Sequence, residues 1–242
     1  MNLSRNQLKL ITSLQRKKYR VKYNLFIAEG TKVVGEYLNS KYDLEELFCI
    51  DDSSYQNVEK CTRISEKELN TISALVTPNN VLALFKIPKK DSIKEKGLII
   101  VLDQINDPGN LGTIIRLCDW FGVDQLICST DTVDCFNTKS IQASMGSLTR
   151  LSVVYTDIHE YLKNSPLPIY AASMEGISVY EIKLPVNAIL VMGNEANGIS
   201  DNTYKFINET IAVPRFGKLK QTESLNVASA TAILLNEFKR ST

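Results

Sequence analysis

Two glycines with a carboxylate between them mark the first segment of the chain that could do chemistry. Gly193, Glu195 and Gly198 lie in MGNEANGIS, residues 192–200, directly after the apolar run 189–192. Glycine lets a backbone approach a ligand closely, but the segment contains neither G-K-[ST] nor G-x-G-x-x-G, the patterns that cradle phosphates. A carboxylate in the loop would also repel a phosphate. The pattern therefore predicts a ligand that is cationic or rich in hydrogen-bond donors.

A second polar segment, DQINDPGNLGTIIR over residues 103–116, leads into a helix. Asn110 stands near the expected N-cap, and Arg116 interrupts the apolar run 114–120. A good turn and an ordinary N-cap explain Asp107-Pro108-Gly109. They do not explain an arginine inside an apolar run, so Arg116 is a candidate functional residue.

The third segment, VPRFGKLKQTESLNVAS over residues 213–229, is a long loop that enters the last helix. Ser224 and Asn226 lie at the helix start, where short polar side chains cap the helix or contact a ligand. Plain capping by Thr222 or Ser224 accounts for one of these residues and leaves Asn226 without an explanation. Capping and ligand binding therefore stay open as interpretations.

The elements that carry these segments alternate between strand and helix. Strands are predicted over 98–102, 125–128, 151–155, 169–172, 189–192 and 210–213, and helices over 110–121, 138–148, from 200 and over 224–238. The unbroken apolar run LIIVL at 98–102 is typical of a strand buried on both faces. This order predicts an α/β fold in which helices cover both faces of a parallel sheet. Ligands bind beyond the carboxyl ends of such strands, where the three segments lie.

Residues 1–90 predict a small α/β domain that precedes the larger domain over residues 97–242. The linker between them, residues 87–96 (IPKKDSIKEK), contains a proline, several lysines and few apolar residues. In the small domain, helices are predicted from Ser4, where Gln7 completes a capping box, and over 30–38. Strands are predicted over 25–28, 44–50 and 81–85.

Charge is distributed unevenly along the chain. Residues 1–96 carry a balance of +5 and residues 97–242 a balance of −4, which together give the net charge of +1. The first 22 residues contain seven basic residues and no acidic one: Arg5, Lys9, Arg16, Lys17, Lys18, Arg20 and Lys22. Such asymmetry predicts an interaction face, although a solvated helix end is the commoner meaning of a short basic run.

Several classes of protein fit the sequence poorly. The five cysteines form no C-x-x-C pair and His159 is the only histidine, so no metal site and no Cys-His or Ser-His-Asp hydrolase is predicted. Cys118 and Cys128 are expected to be small core residues. No apolar run approaches the roughly 20 residues that a membrane span needs, and no export signal is visible. A cytoplasmic protein with reduced thiols is expected.

Together, and in this order, the three segments resemble the motifs of the SpoU (TrmH-like) RNA 2′-O-ribose methyltransferases of the SPOUT superfamily. The matching patterns are N-x-x-x-x-x-R at 110–116, M-G-N-E-x-x-G at 192–198, and Pro214 with S-L-N-V-A at 224–228. The resemblance covers residues 97–242. Residues 1–86, including FIAEGTKVV at 26–34, look like the substrate-binding extension of the family.

The resemblance implies S-adenosyl-L-methionine as cofactor and a structured RNA, ribosomal or transfer, as substrate. It further implies a deep C-terminal trefoil knot and a homodimer whose site draws on both subunits. The implied cofactor-binding residues are Met192, Gly193, Asn194, Glu195, Gly198, Ile211, Val213, Pro214, Ser224, Leu225 and Asn226. Between Pro214 and Ser224 the loop is longer than in many family members and holds Lys218 and Lys220. The seven basic residues of the first 22 become candidate RNA contacts.

The resemblance also implies a catalytic role for Arg116, with Asn110, Glu195, Ser224 and Asn226 as partners in orientation. A guanidinium is protonated at any working pH. We therefore favour Arg116 as a clamp on the phosphate beside the target ribose over Arg116 as a base. Two other classes stay open: a catalytically silent RNA- or ribosome-binding protein that keeps the fold, and a nucleotide-binding α/β enzyme such as a dehydrogenase. The absence of G-x-G-x-x-G after Leu102 argues against the second.

Overall fold

The computed structural model describes residues 3–51, 54–55, 57–217, 219 and 224–240, and it divides the chain into two compact units. The N-terminal unit consists of Met1–Lys89 and Asp134–Thr149, and the C-terminal unit consists of Lys90–Val133 and Arg150–Thr242. The chain therefore passes from one unit to the other three times.

The elements follow one another in this order. The first part of the chain forms α1 (Arg5–Ser13), α2 (Lys17–Tyr23), β1 (Leu25–Glu29), α3 (Thr31–Leu38), β2 (Leu44–Cys49), β3 (Cys61–Arg63), α4 (Glu66–Ile72) and β4 (Val81–Lys86). It continues with β5 (Leu98–Leu102), α5 (Pro108–Trp120), β6 (Gln125–Ser129), α6 (Thr138–Ser144), a 3-10 turn (Ser147–Thr149), β7 (Val153–Thr156), α7 (Ile158–Asn164) and β8 (Ile169–Ser173). The last elements are β9 (Ile177–Ser178), β10 (Ala188–Met192), α8 (Asp201–Tyr204), β11 (Glu209–Ala212) and α9 (Val227–Arg240).

The N-terminal unit contains a four-stranded sheet in the order β1-β4-β2-β3. β4 pairs antiparallel with β1 and with β2, whereas β2 and β3 are parallel. At the start of α1, the side chains of Ser4 and Gln7 form the predicted capping box, and Ile11 and Leu14 are buried in the core of the unit. The sequence did not predict α2, β3 or α4. The sequence of α2, KKYRVKY, has no apolar periodicity and therefore does not predict a helix.

Arg20 holds α2 in place from the buried side of the helix. Its side chain is only 3% exposed, and its Nη2 lies 2.7 Å from Oδ2 of Asp134. Its Nη1 donates to the carbonyl oxygens of Leu14 and Gln15 at 2.9 and 3.0 Å. The prediction that Arg20 contacts RNA is therefore wrong, because the guanidinium is already occupied inside the protein.

The segment Asp134–Thr149 packs with the N-terminal unit, although the prediction assigned it to the domain over residues 97–242. α6 lies along β1, an edge strand of the sheet, and the rings of Phe136 and Phe26 have their centroids 4.8 Å apart. The segment thereby covers a sheet edge that would otherwise offer unpaired backbone groups. α6 is also shorter than the predicted helix over 138–148, because Met145 adopts a φ of 50° and the helix ends there.

The C-terminal unit contains a seven-stranded parallel sheet in the order β7-β6-β5-β10-β8-β11-β9. This architecture confirms the predicted α/β fold with a parallel sheet and helices. β5, β6 and β10 are buried along their whole length. The sequence did not predict α7 or β9, and the predicted strand over 151–155 is shifted to Val153–Thr156.

Cys118 and Cys128 are buried as predicted, and burial raises the pKa of both thiols, so they remain protonated core residues. In the described part of the chain, no helix is both long and apolar enough to cross a membrane.

We expect Arg20→Ala to lower the free energy of unfolding by about 3 kcal/mol, because it removes the ion pair with the half-buried Asp134 carboxylate and the hydrogen bonds to the carbonyl oxygens of Leu14 and Gln15. Urea denaturation followed by far-UV circular dichroism measures this change. Lys9→Ala is the matched control, since Lys9 is exposed on α1 and its loss should change the stability by less than about 0.5 kcal/mol. Equal small effects of the two substitutions would contradict a structural role for Arg20.

Candidate active site

Three loops of the C-terminal unit leave the sheet at the same edge. β5 and β10 are neighbouring parallel strands in register, with Leu102 opposite Met192 at their carboxyl ends. β11 ends at the same edge, because it is parallel to β8, which is parallel to β10. The parallel sheet thus brings together the three segments that the sequence analysis singled out.

The start of α5 leaves the side chain of Asn110 available for contacts outside the helix. Asp107 is the N-cap, and its Oδ1 accepts a hydrogen bond from the backbone N–H of Asn110 at 2.8 Å. Pro108 occupies the first helical turn, where its missing N–H costs nothing. Because Asp107 caps the helix, the amide side chain of Asn110 is not needed for capping.

Asn110 links the other two loops by hydrogen bonds through both ends of its amide. Its Nδ2 donates to Oε1 of Glu195 at 2.8 Å, and its Oδ1 accepts from Nδ2 of Asn226 at 2.9 Å. Oδ1 of Asn226 accepts in turn from the backbone N–H groups of Ala228 and Ser229 at 2.9 and 3.3 Å. We call Glu195, Asn110 and Asn226 the polar relay. It joins one residue from each of the three predicted motifs.

Asn226 also settles where the last helix begins. α9 starts at Val227 and not at Ser224 as predicted, because the Oδ1 of Asn226 caps its first turn. The predicted cap at Ser224 is therefore wrong, and Thr222, the other candidate cap, lies outside the described residues. Asn226 thus caps α9 and also donates to Asn110, whereas its contact with a ligand stays a prediction.

The glycine loop closes on itself, and glycine is required where it does so. Asn194 and Gly198 exchange backbone hydrogen bonds, each 2.9 Å long. A Cβ added to Gly193 would lie 2.3 Å from the carbonyl carbon of Gly198, and Gly198 itself has a φ of 69°. The tight turn leaves Glu195 exposed at its tip.

Asn194 shapes the loop from within. Its Nδ2 donates to the carbonyl oxygen of Gln104 at 2.7 Å, and its Oδ1 accepts from the backbone N–H groups of Ala196 and Asn197. Each polar group of Asn194 therefore already has a partner within the protein. The structure gives its side chain a positioning role, and contact of Asn194 with the cofactor stays a prediction.

Sequence reasoning missed Asp103, which anchors the far end of the glycine loop. Its buried Oδ2 accepts hydrogen bonds from the backbone N–H and the Oγ of Ser200 at 2.9 and 2.8 Å. The signal was an acidic residue directly after the buried strand 98–102, together with the capping pattern Ser200–Thr203. Asp103 thereby ties the loop after β10 to the end of β5.

Arg116 does not join the polar relay of its own chain. It lies on the exposed side of α5, six residues and about 9 Å of helix beyond Asn110. Among the described residues, Arg116 makes no hydrogen bond or ion pair. Thr113, Arg116 and Trp120 lie on this same exposed side of the helix, and Trp120 is 83% exposed.

The remaining predicted site residues border the same loops. Met192 and Ile211 are buried at the ends of β10 and β11, and Val213 and Pro214 follow β11 half-buried. Ser224 and Leu225 are exposed beside Asn226. Lys218 and Lys220 lie outside the described residues.

The basic residues predicted to contact RNA divide into two groups. Arg20 is buried, as described above. The other six are exposed on or beside α1 and α2: Arg5, Lys9, Arg16, Lys17, Lys18 and Lys22.

A sequence model of the SpoU rRNA Methylase family matches residues 97–236, and one of the MRM3-like substrate binding domain matches residues 5–83. The chain belongs to the SpoU rRNA methylase family. It is 31% identical to the 23S rRNA (guanosine(2553)-2'-O)-methyltransferase RlmP of Bacillus subtilis over 93% of both chains. It is 27% identical to a 23S rRNA (uridine(2479)-2'-O)-methyltransferase of Streptomyces viridochromogenes, over 67% of this chain and 61% of that one.

Solved structures of SpoU and TrmH proteins share the whole fold. A TrmH-family protein from Porphyromonas gingivalis superposes with a TM-score of 0.90 at 36% identity over 99% of both chains. An AdoMet-bound rRNA methyltransferase from Sinorhizobium meliloti superposes with a TM-score of 0.87 at 26% identity, covering 98% of this chain and 95% of that one.

The residues present fit S-adenosylmethionine as the cofactor of this SpoU family member. The methionine sulfonium is a cation, and Glu195 places a single exposed carboxylate at the tip of the glycine loop. The described residues contain no group of three or more His, Cys, Asp or Glu side chains that could hold a metal ion. The loops at 193–198, 213–214 and 224–226 are the parts of the chain that would hold the cofactor.

We expect Gly193→Ala to weaken S-adenosylmethionine binding about tenfold or more, because the new methyl group collides with the Gly198 backbone and the loop must open. Forcing a methyl group into such a contact costs about 1–3 kcal/mol. Isothermal titration calorimetry measures the affinity. Gly35→Ala is the control, since a Cβ there meets nothing within 4 Å. Unchanged cofactor affinity in the Gly193 variant would remove the glycine loop from the binding site.

Proposed function

We propose that this chain transfers the methyl group of S-adenosylmethionine to a ribose 2′-hydroxyl of RNA. The observation that carries the proposal is the polar relay, since it joins one residue from each family motif at the carboxyl edge of the parallel sheet. Ribosomal RNA is the proposed substrate class, because the relative matched over 93% of its length acts on 23S rRNA. That relative acts on a guanosine and another on a uridine.

The chemistry requires the 2′-hydroxyl to meet the methyl group in line. When bound, S-adenosylmethionine supplies an activated methyl group on a sulfonium leaving group. The protein must hold the two reactants in position, and positioning can lower a barrier by about 7–11 kcal/mol. The polar relay fixes Glu195 and Asn226 relative to each other and so keeps the two cofactor loops in a single arrangement.

Arg116 acts in this proposal as a clamp on the phosphate beside the target ribose. A guanidinium is a poor base at any working pH, so a role as proton acceptor from the hydroxyl is not proposed. Its planar fork of donors matches phosphate oxygens, and its positive charge lowers the pKa of a nearby hydroxyl. An exposed side chain without a polar partner among the described residues is free to make this contact.

A homodimer is part of the same proposal, with the active site shared between two copies of the chain. Two observations support it. Arg116 lies away from the polar relay of its own chain, and Trp120, four residues further along the same side of α5, exposes a large apolar side chain. Burial of Trp120 against a second copy would carry Arg116 to the partner's site.

The remaining parts of the proposal rest on the family likeness. The exposed basic residues of α1 and α2 contact RNA phosphates, in agreement with the substrate-binding family model over residues 5–83. Residues 1–90 bind substrate, residues 97–242 apart from the segment 134–149 carry the catalytic site and the trefoil knot, and residues 87–96 link the two. The proposed place of action is the cytoplasm.

We expect Arg116→Ala to lower methyl transfer by about 100-fold or more while S-adenosylmethionine binding is unchanged, because positioning of the RNA is lost. Arg116→Lys keeps the charge without the planar fork and should give an intermediate rate. The assay is transfer of labelled methyl groups to total RNA from a deletion strain, followed by mapping of the modified nucleotide. Thr113→Ala, one turn earlier on the same exposed side, is the control. Near-normal turnover without Arg116 would rule out the clamp.

Mixing two impaired variants tests the shared site, with S-adenosylmethionine held at a concentration that the Gly193→Ala chain binds poorly. If Arg116 of one copy serves the cofactor loop of the other, Arg116→Ala and Gly193→Ala chains refolded together should recover about a quarter of wild-type activity. In a one-to-one mixture, half of the dimers contain one chain of each kind. Each of these dimers has one intact site, formed by Arg116 of the Gly193→Ala chain and the glycine loop of the Arg116→Ala chain. Differently tagged chains measure how much mixed dimer forms. Mixed dimer without recovered activity would place the whole site in one chain, and the absence of any dimer would exclude the homodimer.

A further inference from the structure

α2 presents a pair of aromatic side chains beside the basic residues of the N-terminal unit. Tyr19 and Tyr23 are four residues apart on the helix, so their rings stand one above the other, with centroids 6.3 Å apart and planes 16° from parallel. Tyr19 is half-buried, and Tyr23 is 43% exposed. Arg20 is the buried residue of the same helix, and Tyr23, three residues further on, lies next to it on the helix but remains exposed.

Each ring has a lysine ammonium near it. Nζ of Lys18 lies 4.9 Å from the centroid of Tyr19, and Nζ of Lys22 lies 5.2 Å from that of Tyr23. Such contacts at exposed sites favour the paired state by only about two- to fivefold in an equilibrium constant. Stacking of a nucleic-acid base on an aromatic side chain raises the binding constant by about 5- to 150-fold. A base therefore outcompetes a lysine for the ring face.

The displaced lysines would not lose a partner. Long, flexible ammonium groups beside a stacked base are within reach of the phosphates that flank it, and they contact phosphate well. The surrounding charge favours a polyanion, because six exposed basic residues lie on or beside α1 and α2, and the first 22 residues contain no acid. Aromatic rings set among cations are typical of surfaces that bind unpaired nucleotides.

We propose that Tyr19 and Tyr23 form a stacking platform for an unpaired base of the RNA substrate, with Lys18 and Lys22 moving to the adjacent phosphates. This inference rests on the proposed function, which makes RNA the substrate. It narrows the substrate class to RNA that offers a loop, bulge or end to the N-terminal unit. A continuous duplex keeps its bases stacked inside and cannot use the platform.

The test compares two stem–loop RNAs that differ only in their loops. One has an adenosine loop and the other has abasic nucleotides at the same positions, so both carry the same number of phosphates. We expect Tyr23→Leu to weaken binding of the adenosine stem–loop by about fivefold or more and to leave binding of the abasic one unchanged. Tyr23→Phe should keep the wild-type affinity, because stacking needs the ring and not the hydroxyl. Tyr19→Leu and Tyr19→Phe repeat the comparison at the second ring.

Salt dependence separates stacking from charge. The leucine variants remove no cation, so the slope of affinity against salt concentration should stay at its wild-type value. Lys9→Gln, on α1, should lower that slope by about one and should weaken binding of both stem–loop RNAs equally. A Tyr23→Leu variant that binds both RNAs with wild-type affinity would overturn the platform. A variant whose affinity for both RNAs falls by the same factor would overturn it too.

Failure of this inference can be told apart from failure of the proposed function. Methyl transfer by the tyrosine variants is measured on total RNA at saturating concentration. Wild-type transfer combined with unaltered stem–loop affinities overturns the platform alone. Absence of transfer by the wild-type protein overturns the proposed function.

Discussion

The hydrogen bonds of Asn110 are the constraint on which the active site depends. They reach 85 residues along the chain to Glu195 and 116 residues to Asn226. An amide has one donor end and one acceptor end, so a single side chain can hold a carboxylate on one side and a second amide on the other. A leucine would fill the same space but bind neither loop. An aspartate would face Glu195 with a second negative charge.

This polar relay forms because neighbouring elements are already aligned. β5 and β10 end opposite each other at Leu102 and Met192, so the loops that follow them start side by side. Asp103 then ties the second loop to the first strand through Ser200. α9 packs along α5, which brings its cap, Asn226, to the third residue of α5. Each alignment removes conformations that the loops would otherwise have to lose when a cofactor binds.

The N-terminal unit shows how a basic stretch serves two purposes. Six of the seven basic residues among the first 22 are exposed to solvent, whereas Arg20 is buried and paired with Asp134. Asp134 begins the segment that covers the edge of β1, so Arg20 joins the helix pair α1 and α2 to that segment. Two tyrosines remain on α2 with lysines across their rings. One short helix therefore carries both a buried structural arginine and the exposed rings and cations that we propose to contact RNA.

The parallel α/β fold and the three loops could be predicted from the amino-acid sequence, because strands buried on both faces appear there as unbroken apolar runs and the loops follow them directly. The motif residues Asn110, Glu195 and Asn226 could be predicted too, through the family resemblance. Tertiary structure alone decided that Asn226 caps α9, that Asn194 turns inward, that Arg20 is buried and that residues 134–149 join the N-terminal unit. Neither a capping preference nor a charge run distinguishes between candidates a few residues apart. The distinction comes from partners that lie 97 to 116 residues away along the chain, such as Asp134 for Arg20 and Asn110 for Asn226.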